Sequence, residues 1–103
     1  MMEAERRKLN DALSMACKAG KVALGFDASR LLIKKGKVSL LLISAALSSR
    51  TKKQITKTAG DLQVKCKEIN IDLTDFGKIT GKCTGIVAIA DPSFARKIDV
   101  LAL

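Results

Sequence analysis

The chain contains no histidine, tryptophan or tyrosine, and its aromatic residues are three phenylalanines. Without histidine, the Cys–His and Ser–His nucleophile pairs cannot form, and the commonest general base of enzymes is missing. Three aromatic side chains are also too few for the stacking platforms with which single-strand-binding proteins hold bases. The composition therefore argues against the familiar hydrolases and against nucleic-acid binding by base stacking.

Cysteine-based and glycine-rich signatures are missing as well. The three cysteines, Cys17, Cys66 and Cys83, are widely spaced and form no C-x-x-C pair, so neither a disulfide framework nor a zinc site is indicated. The common phosphate-binding motifs G-x-G-x-x-G and G-x-x-x-x-G-K-S/T do not occur. We therefore expect reduced thiols, no metal and no cofactor.

Continuous apolar runs are short, and a run such as Leu40–Ile43 cannot cross a bilayer. The N-terminal segment carries charges and no continuous apolar stretch of the kind found in secretory signals. We therefore expect no membrane association and a cytoplasmic location. With 103 residues and 48% hydrophobic content, we expect one globular domain over residues 1–103.

Positive charge is what the chain has in excess. It carries 19 Lys and Arg residues against 10 Asp and Glu residues, which gives a net charge of +9. Such a field attracts nucleic acids and other polyanions. The alternative is a basic surface that water and counterions simply solvate.

The spacing of apolar residues predicts alternating helices and strands. Helical spacing and capping residues predict helices over about residues 4–18, 28–35 and 49–60, a short one between Asp72 and Gly81, and a last one after Asp91 and Pro92. Apolar or alternating runs predict strands at 22–24, 38–43, 64–69 and 85–90, with 64–69 at a sheet edge. This order predicts an α/β protein: a three-layer α/β/α sandwich with a four-stranded mixed sheet.

Two packing details follow from the same spacing. The second helix is expected to bury Ala28, Leu31 and Leu32 and to leave Arg30 and Lys34 on its other side. The third helix is expected to bury Ile55, Ala59 and Thr51, with Leu62 extending its apolar stripe.

A glycine turn precedes the second predicted helix. Asp27 is a good N-cap, and Gly25 allows close approach of a ligand, so free helix-start N–H groups are offered to an anion such as a phosphate. The alternative is an ordinary tight connection between a strand and a helix. The sequence agrees with both interpretations.

The start of the third helix is unusually basic. Ser49 is followed by Arg50, Lys52 and Lys53, so three cations occupy the first turn, where the helix dipole is already positive. This arrangement is locally unfavourable and favours an anionic ligand. The alternative is a solvated basic face.

A glycine-bounded loop follows the fourth helix. Gly81 and Gly85 permit close approach of another backbone, and Lys82 stands at the tip. A helix C-cap followed by a turn would also account for Gly81. Asp72 and Asp75 nearby are better explained as capping residues than as a catalytic carboxylate pair.

The order of these motifs resembles the kink-turn-binding ribosomal proteins of the L7Ae/L30e family, and the small bacterial single-domain members above all. The resemblance runs from about Leu9 to Ile98. The matching residues are Gly25, Gly36-Lys37, Thr51-Lys52-Lys53, Phe76-Gly77, Gly81-Lys82, Asp91 and Phe94-Ala95-Arg96-Lys97.

The resemblance implies an α/β/α sandwich that binds the kink-turn, a bent RNA element with tandem G·A pairs. It assigns RNA contacts to a first surface made of Gly25, Phe26, Asp27, Ala28 and Arg30. It assigns a second, adjacent surface to Gly81, Lys82, Cys83, Thr84 and Gly85. The third-helix start would flank both, through Ser48, Ser49, Arg50, Lys52 and Lys53.

The chain departs from the strong RNA binders of this family at three positions. Those relatives carry Asn, Glu and Lys where this chain has Asp27, Ala28 and Leu31. An aspartate can accept a hydrogen bond from guanine, whereas Ala28 and Leu31 supply neither a carboxylate nor a cation.

The first hypothesis is a non-catalytic, monomeric protein that binds structured RNA, as a ribosome-associated or ribonucleoprotein component. Phosphate contacts would come from Lys21, Arg30, Lys52, Lys53 and Lys82. The second hypothesis is a protein-interaction module on the same fold, whose basic face meets an acidic partner. The third hypothesis is an enzyme, for which Cys83 would be the reactive thiol.

Overall fold

The computed structural model describes residues 3–81 and 84–101, in which helices and strands alternate. The elements are α1 (Glu3–Lys18), β1 (Val22–Leu24), α2 (Phe26–Lys34), β2 (Leu40–Ser44), α3 (Ser49–Asp61), β3 (Cys66–Ile69), α4 (Leu73–Thr80), β4 (Ile86–Ile89) and α5 (Pro92–Leu101). Each predicted element is present, with ends shifted by up to two residues. Within the described ranges, none of the helices is long and apolar enough to cross a membrane.

The four strands form one mixed sheet in the order β1-β4-β2-β3. β4 runs antiparallel to both β1 and β2, whereas β2 and β3 are parallel. Leu41 of β2 sits opposite Ala88 of β4 and Cys66 of β3. The predicted mixed sheet is confirmed, and β3 lies at its edge as expected.

Helices cover both faces of the sheet, which confirms the three-layer α/β/α sandwich. Leu40 and Leu42 of β2 pack in a core with α1, α4 and α5, whereas Leu41 and Ile43 pack on the other face with α2 and α3. Every residue of β2 and β4 is buried. Alternate residues of these central strands therefore serve two different cores, which explains their continuous apolar sequence.

The predicted buried face of α2 is only partly confirmed. Leu32 packs partly buried against the core on this side, but Ala28 and Leu31 are exposed, Leu31 by 56%. The helix fully buries Ser29 and Ile33 instead. Ser29 is accommodated against the sheet because its Oγ donates a hydrogen bond to the Ala23 carbonyl oxygen at 3.3 Å. The helix also begins earlier than predicted, with Gly25 rather than Asp27 at the N-cap.

The prediction that Leu62 extends the apolar stripe of α3 was also wrong. It is 48% exposed, because α3 ends at Asp61 and Leu62 is the C-cap, where the chain has left helical geometry. The next residue, Gln63, has a φ of 58° and turns the chain toward β3. Ile55 and Ala59 are fully buried, as expected.

The predicted caps of α4 and α5 are confirmed. The Asp75 N–H donates to the Asp72 carboxylate at 2.8 Å, and the Phe94 N–H donates to the Asp91 carboxylate at 3.2 Å. Gly81 closes α4 in the left-handed conformation, with a φ of 80°. These caps determine where α4 and α5 begin and where α4 ends.

Candidate nucleic-acid interface

The topology brings several connections to the edge of the sheet that is formed by strand ends rather than by an outer strand. β1, β2 and β3 end at this edge, and β4 begins there because it runs antiparallel to β1 and β2. The starts of α2, α3 and α4, together with the connection from α4 to β4, therefore lie along the same edge. We call it the basic edge, defined by the described residues 25–30, 48–53, 81, 84 and 85. Of the residues that the resemblance assigns to RNA, it contains all but Lys82 and Cys83, which lie outside the described residues.

Gly25 joins the start of α2 to the start of β4. Its N–H donates to the Ile86 carbonyl oxygen at 2.9 Å, and its own carbonyl accepts from the Ser29 N–H at 3.1 Å. The backbone here has a φ of 95° and a ψ of 170°, a conformation that favours glycine. Because Ile86 directly follows Gly85, the first and second predicted surfaces are neighbours in the structure.

Gly85 is buried where three segments meet. Its carbonyl oxygen accepts from the Ser44 N–H at 2.8 Å. A Cβ atom at this position would lie 2.6 Å from Leu73 Cδ2, 2.9 Å from Leu47 Cδ2 and 3.0 Å from Ser44 Cβ. The space beside Gly85 is therefore filled by side chains of the protein itself rather than left open for a ligand. Leu47, before α3, and Leu73, at the start of α4, pack there against the start of β4.

The buried hydroxyl of Ser44 strengthens the same junction. Ser44 Oγ donates to the Ile71 carbonyl oxygen and accepts from the Ala46 N–H at 3.0 Å. The Ala45 N–H donates to the Ile69 carbonyl oxygen at 2.8 Å. These bonds hold the β2–α3 connection against the end of β3, so the start of α3 is firmly positioned.

The cations at the start of α3 point in different directions. Lys52 Nζ lies 3.2 Å from the Glu68 carboxylate on β3, and the Lys52 side chain is only 27% exposed. Arg50 and Lys53 are exposed and form no ion pair in the part of the chain that the structure describes. Ser48 caps the helix by accepting from the Thr51 N–H at 3.2 Å. Two of the three predicted cations therefore remain available to an anion.

On α2, the exposed side chains at the basic edge are Asp27, Ala28 and Arg30, while Phe26 packs partly into the core. Arg30 lies with Lys34 and Lys57 along a groove between α2 and α3. Lys57 is not among the residues predicted from the sequence. Its position four residues after Lys53 would place both side chains on one face of α3, and that spacing is the signal that could have identified it.

Lys21 does not join the other predicted residues. It precedes β1 at the opposite end of the strand from Gly25, where its carbonyl accepts from the Ala90 N–H at 2.8 Å. Four residues of extended chain place it about 13 Å from Gly25. Lys82 and Cys83 lie outside the described residues, while Thr84 is half-buried beside Gly85.

The cysteines that the structure describes and the carboxylates of Asp72 and Asp75 are partly buried or held by hydrogen bonds and an ion pair. Burial, followed by the charge of Glu68, raises the pKa of Cys66 to about 11, and burial also raises the pKa of Cys17. Arg6 donates to the Asp75 carboxylate at 3.1 Å, and the two side chains form an ion pair between α1 and the first turn of α4. No group of three or more Cys, Asp or Glu residues that could hold a metal occurs within residues 3–81 and 84–101.

The fold and the basic edge define a small α/β/α protein that presents helix starts and exposed cations along one end of its sheet. The sequence profile of the Ribosomal protein L7Ae/L30e/S12e/Gadd45 family matches residues 7–98, and the chain belongs to this family. The resemblance seen in the sequence is thereby confirmed.

One sequence relative matches nearly the whole chain, and two solved structures share its fold. The RNA-binding protein YlxQ of Enterococcus faecium is 26% identical over 101 residues, which cover 98% of this chain and 97% of that protein. A solved structure of a protein of unknown function from Bacillus halodurans C matches with a TM-score of 0.86 at 24% identity, covering 92% of this chain and 96% of that one. The Giardia lamblia 15.5kD RNA binding protein matches with a TM-score of 0.77 at 13% identity, covering 99% and 88% of the two chains.

Proposed function

We propose that the protein is a single, non-catalytic domain over residues 1–103 that binds structured RNA through the basic edge. Family membership and the name of the Enterococcus relative support RNA as the ligand. The hydrogen bond from the Gly25 N–H to the Ile86 carbonyl oxygen carries the argument. It joins the α2 start to the residue that follows Gly85, which supports the proposal that the two segments assigned to RNA by the resemblance bind as neighbours.

The α2 start is suited to a phosphate. α3, α4 and α5 begin with Ser48, Asp72 and Asp91, whose side chains accept backbone N–H groups, whereas Gly25 offers α2 no side-chain acceptor. The first N–H groups of a helix have no partner within the helix, and they attract anions together with the helix dipole. A phosphate oxygen would supply the missing acceptor.

Exposed cations would extend this contact along the RNA backbone. Arg30, Arg50 and Lys53 stand on α2 and α3 beside the helix starts. Three such contacts predict a salt slope of about −2.7, so affinity falls roughly 40-fold between 50 and 200 mM salt. Lys82 belongs to the same proposal, and Lys82→Ala is expected to weaken binding.

The finer part of the proposal is a kink-turn-like RNA target, bound by a cytoplasmic monomer that associates with ribosomes or ribonucleoproteins. Asp27 is exposed in the first turn of α2 and would accept a hydrogen bond from a guanine. Ala28 and Leu31 are exposed on the same helix without contributing a polar contact. The double variant Ala28→Glu, Leu31→Lys should therefore bind a kink-turn more tightly and retain the Tm of the parent protein.

The test is fluorescence anisotropy with a labelled kink-turn RNA and an unbent duplex of equal length, at several salt concentrations. We expect Arg50→Ala and Lys53→Ala to weaken binding and to reduce the salt slope by about 1 each. Lys21→Ala removes the same charge at the far end of β1 and should leave the affinity unchanged. Equal affinity for both RNAs would refute kink-turn specificity, and equal effects of all three variants would refute the basic edge as the binding surface.

A further inference from the structure

A groove runs between α1 and α5, in the helix layer opposite α2 and α3. Its volume is about 770 Å³, and Met15, Val100 and Leu101 contribute apolar surface to it. Met15 is 54% exposed and Val100 is 63% exposed. These two side chains leave apolar surface exposed on two adjacent helices.

Positive charge accompanies these apolar side chains. Lys8, Arg96 and Lys97 line the groove, and among the described residues Asp11 contributes the one carboxylate. Within the described ranges, none of these three cations forms an ion pair. The groove therefore combines apolar and cationic side chains, and an occupant that complements both must carry apolar and acidic side chains.

We propose that this groove is a docking site for an acidic amphipathic helix of a partner protein. Lys8 to Met15 on α1 extend about 10 Å, and Ser93 to Leu101 on α5 extend about 12 Å, at 1.5 Å per helical residue. A helix of two turns matches this length, with apolar anchors at positions i, i+3 or i+4, and i+7. Its carboxylates would lie beside Lys8, Arg96 and Lys97.

RNA fits the groove less well than such a helix. Phosphates would meet the three cations but would leave Met15 and Val100 against a charged ligand, without apolar contact. None of the phenylalanines lines the groove, so it offers no ring on which a base could stack. The basic edge takes its helix contacts from α2 and α3, which lie on the other face of the sheet. Peptide and RNA could therefore be bound at the same time.

The proposal can be tested with a fluorescein-labelled peptide that carries Leu at i, i+3 and i+7 and Glu on the flanks. The control peptide has the same composition in scrambled order. Anisotropy should show at least about tenfold tighter binding of the amphipathic peptide, a difference in the range that one or two buried anchors provide. In methionine methyl NMR, the Met15 signal should shift on binding.

Variants locate the site. Val100→Glu should weaken peptide binding at least about tenfold, because it places a charge among the apolar side chains and repels the peptide carboxylates. Arg96→Glu combined with Lys97→Glu should also weaken it and reduce its salt dependence. The matched control is Leu62→Glu, which changes an exposed apolar residue directly after α3 and should leave peptide binding unchanged.

Three outcomes would overturn the proposal. They are equal binding of both peptides, peptide binding that is indifferent to Val100→Glu, and sedimentation data showing that a second copy of the chain occupies the groove. RNA affinity measured on the Val100→Glu variant should equal that of the parent protein. The docking proposal can therefore fail or succeed independently of RNA binding.

Discussion

Gly85→Ala tests whether the junction at the basic edge is as tightly packed as the structure shows. The added methyl carbon would lie 2.6 Å from Leu73 Cδ2, 2.9 Å from Leu47 Cδ2 and 3.0 Å from Ser44 Cβ. Leu73 is 40% exposed, so its side-chain end can rotate away. Ser44 Cβ belongs to a buried strand and cannot move without disturbing the sheet. The substitution should therefore overpack the junction.

The expected magnitude follows from two opposing contributions. Overpacking a well-packed interior costs about 1–3 kcal/mol, and replacing glycine lowers the entropy of the unfolded chain, which offsets about 0.4–1 kcal/mol. We expect the free energy of unfolding to fall by about 1–2 kcal/mol. For a chain of this length, the Tm should fall by roughly 5–10 °C.

Gly60→Ala is the matched control, because the same chemical change is made where there is room. Gly60 lies in α3, and a Cβ there would meet nothing within 4 Å. Since alanine favours the helix, this variant should be more stable by about 0.4–1 kcal/mol. Urea denaturation and thermal melts of both variants provide the measurement. If Gly85→Ala proved as stable as Gly60→Ala, the packing argument for this junction would be wrong.

Two further predictions concern pKa values. Hydrogen bonds from Lys65, and to a smaller extent from Lys67, lower the pKa of Asp99 below its ordinary value of 3.8. The ionised carboxylate therefore stabilises the fold above pH 3.8, and this stabilisation is lost as the pH falls through the lowered pKa. Asp99→Asn should accordingly lower the Tm at pH 7, and the difference should vanish in strong acid; parallel Tm curves from pH 7 to pH 2 would contradict this. The pKa of Cys66, raised to about 11, should make its alkylation at pH 8 roughly 100-fold slower in the native protein than in urea, as measured by peptide mass spectrometry. Equal rates in the two states would show that Cys66 is not shielded.

The elements that the sequence predicted well are those whose signals are local. Asp72 and Asp91 are caps whose acceptors reach N–H groups two or three residues away, so neither needs a tertiary contact to be recognised. The central strands were equally clear, because burial on both faces requires continuous apolar residues. Local chemistry was sufficient to predict the layers and the number of strands.

The features that the sequence did not predict depend on contacts between distant parts of the chain. Ser29 faces the sheet because of its bond to the Ala23 carbonyl oxygen, and apolar periodicity gives a serine no reason to be buried. Lys52 turns toward β3 because Glu68 lies there, 16 positions later in the chain. Composition and spacing contain neither of these contacts. The position of Lys21 outside the basic edge, in contrast, follows from the predicted strand at 22–24, because that strand separates Lys21 from Gly25.

The rotation of α2 changes what its departures from the family's strong RNA binders mean. Had Ala28 and Leu31 been buried, as the spacing predicted, they would be core residues, and replacing them would test packing rather than recognition. Both are exposed on α2, Ala28 within the basic edge and Leu31 one residue beyond it. Leu31 is 56% exposed, so a lysine there loses little packing, and its charge would face the ligand. A change in RNA affinity at these two positions without a change in Tm would therefore measure recognition alone.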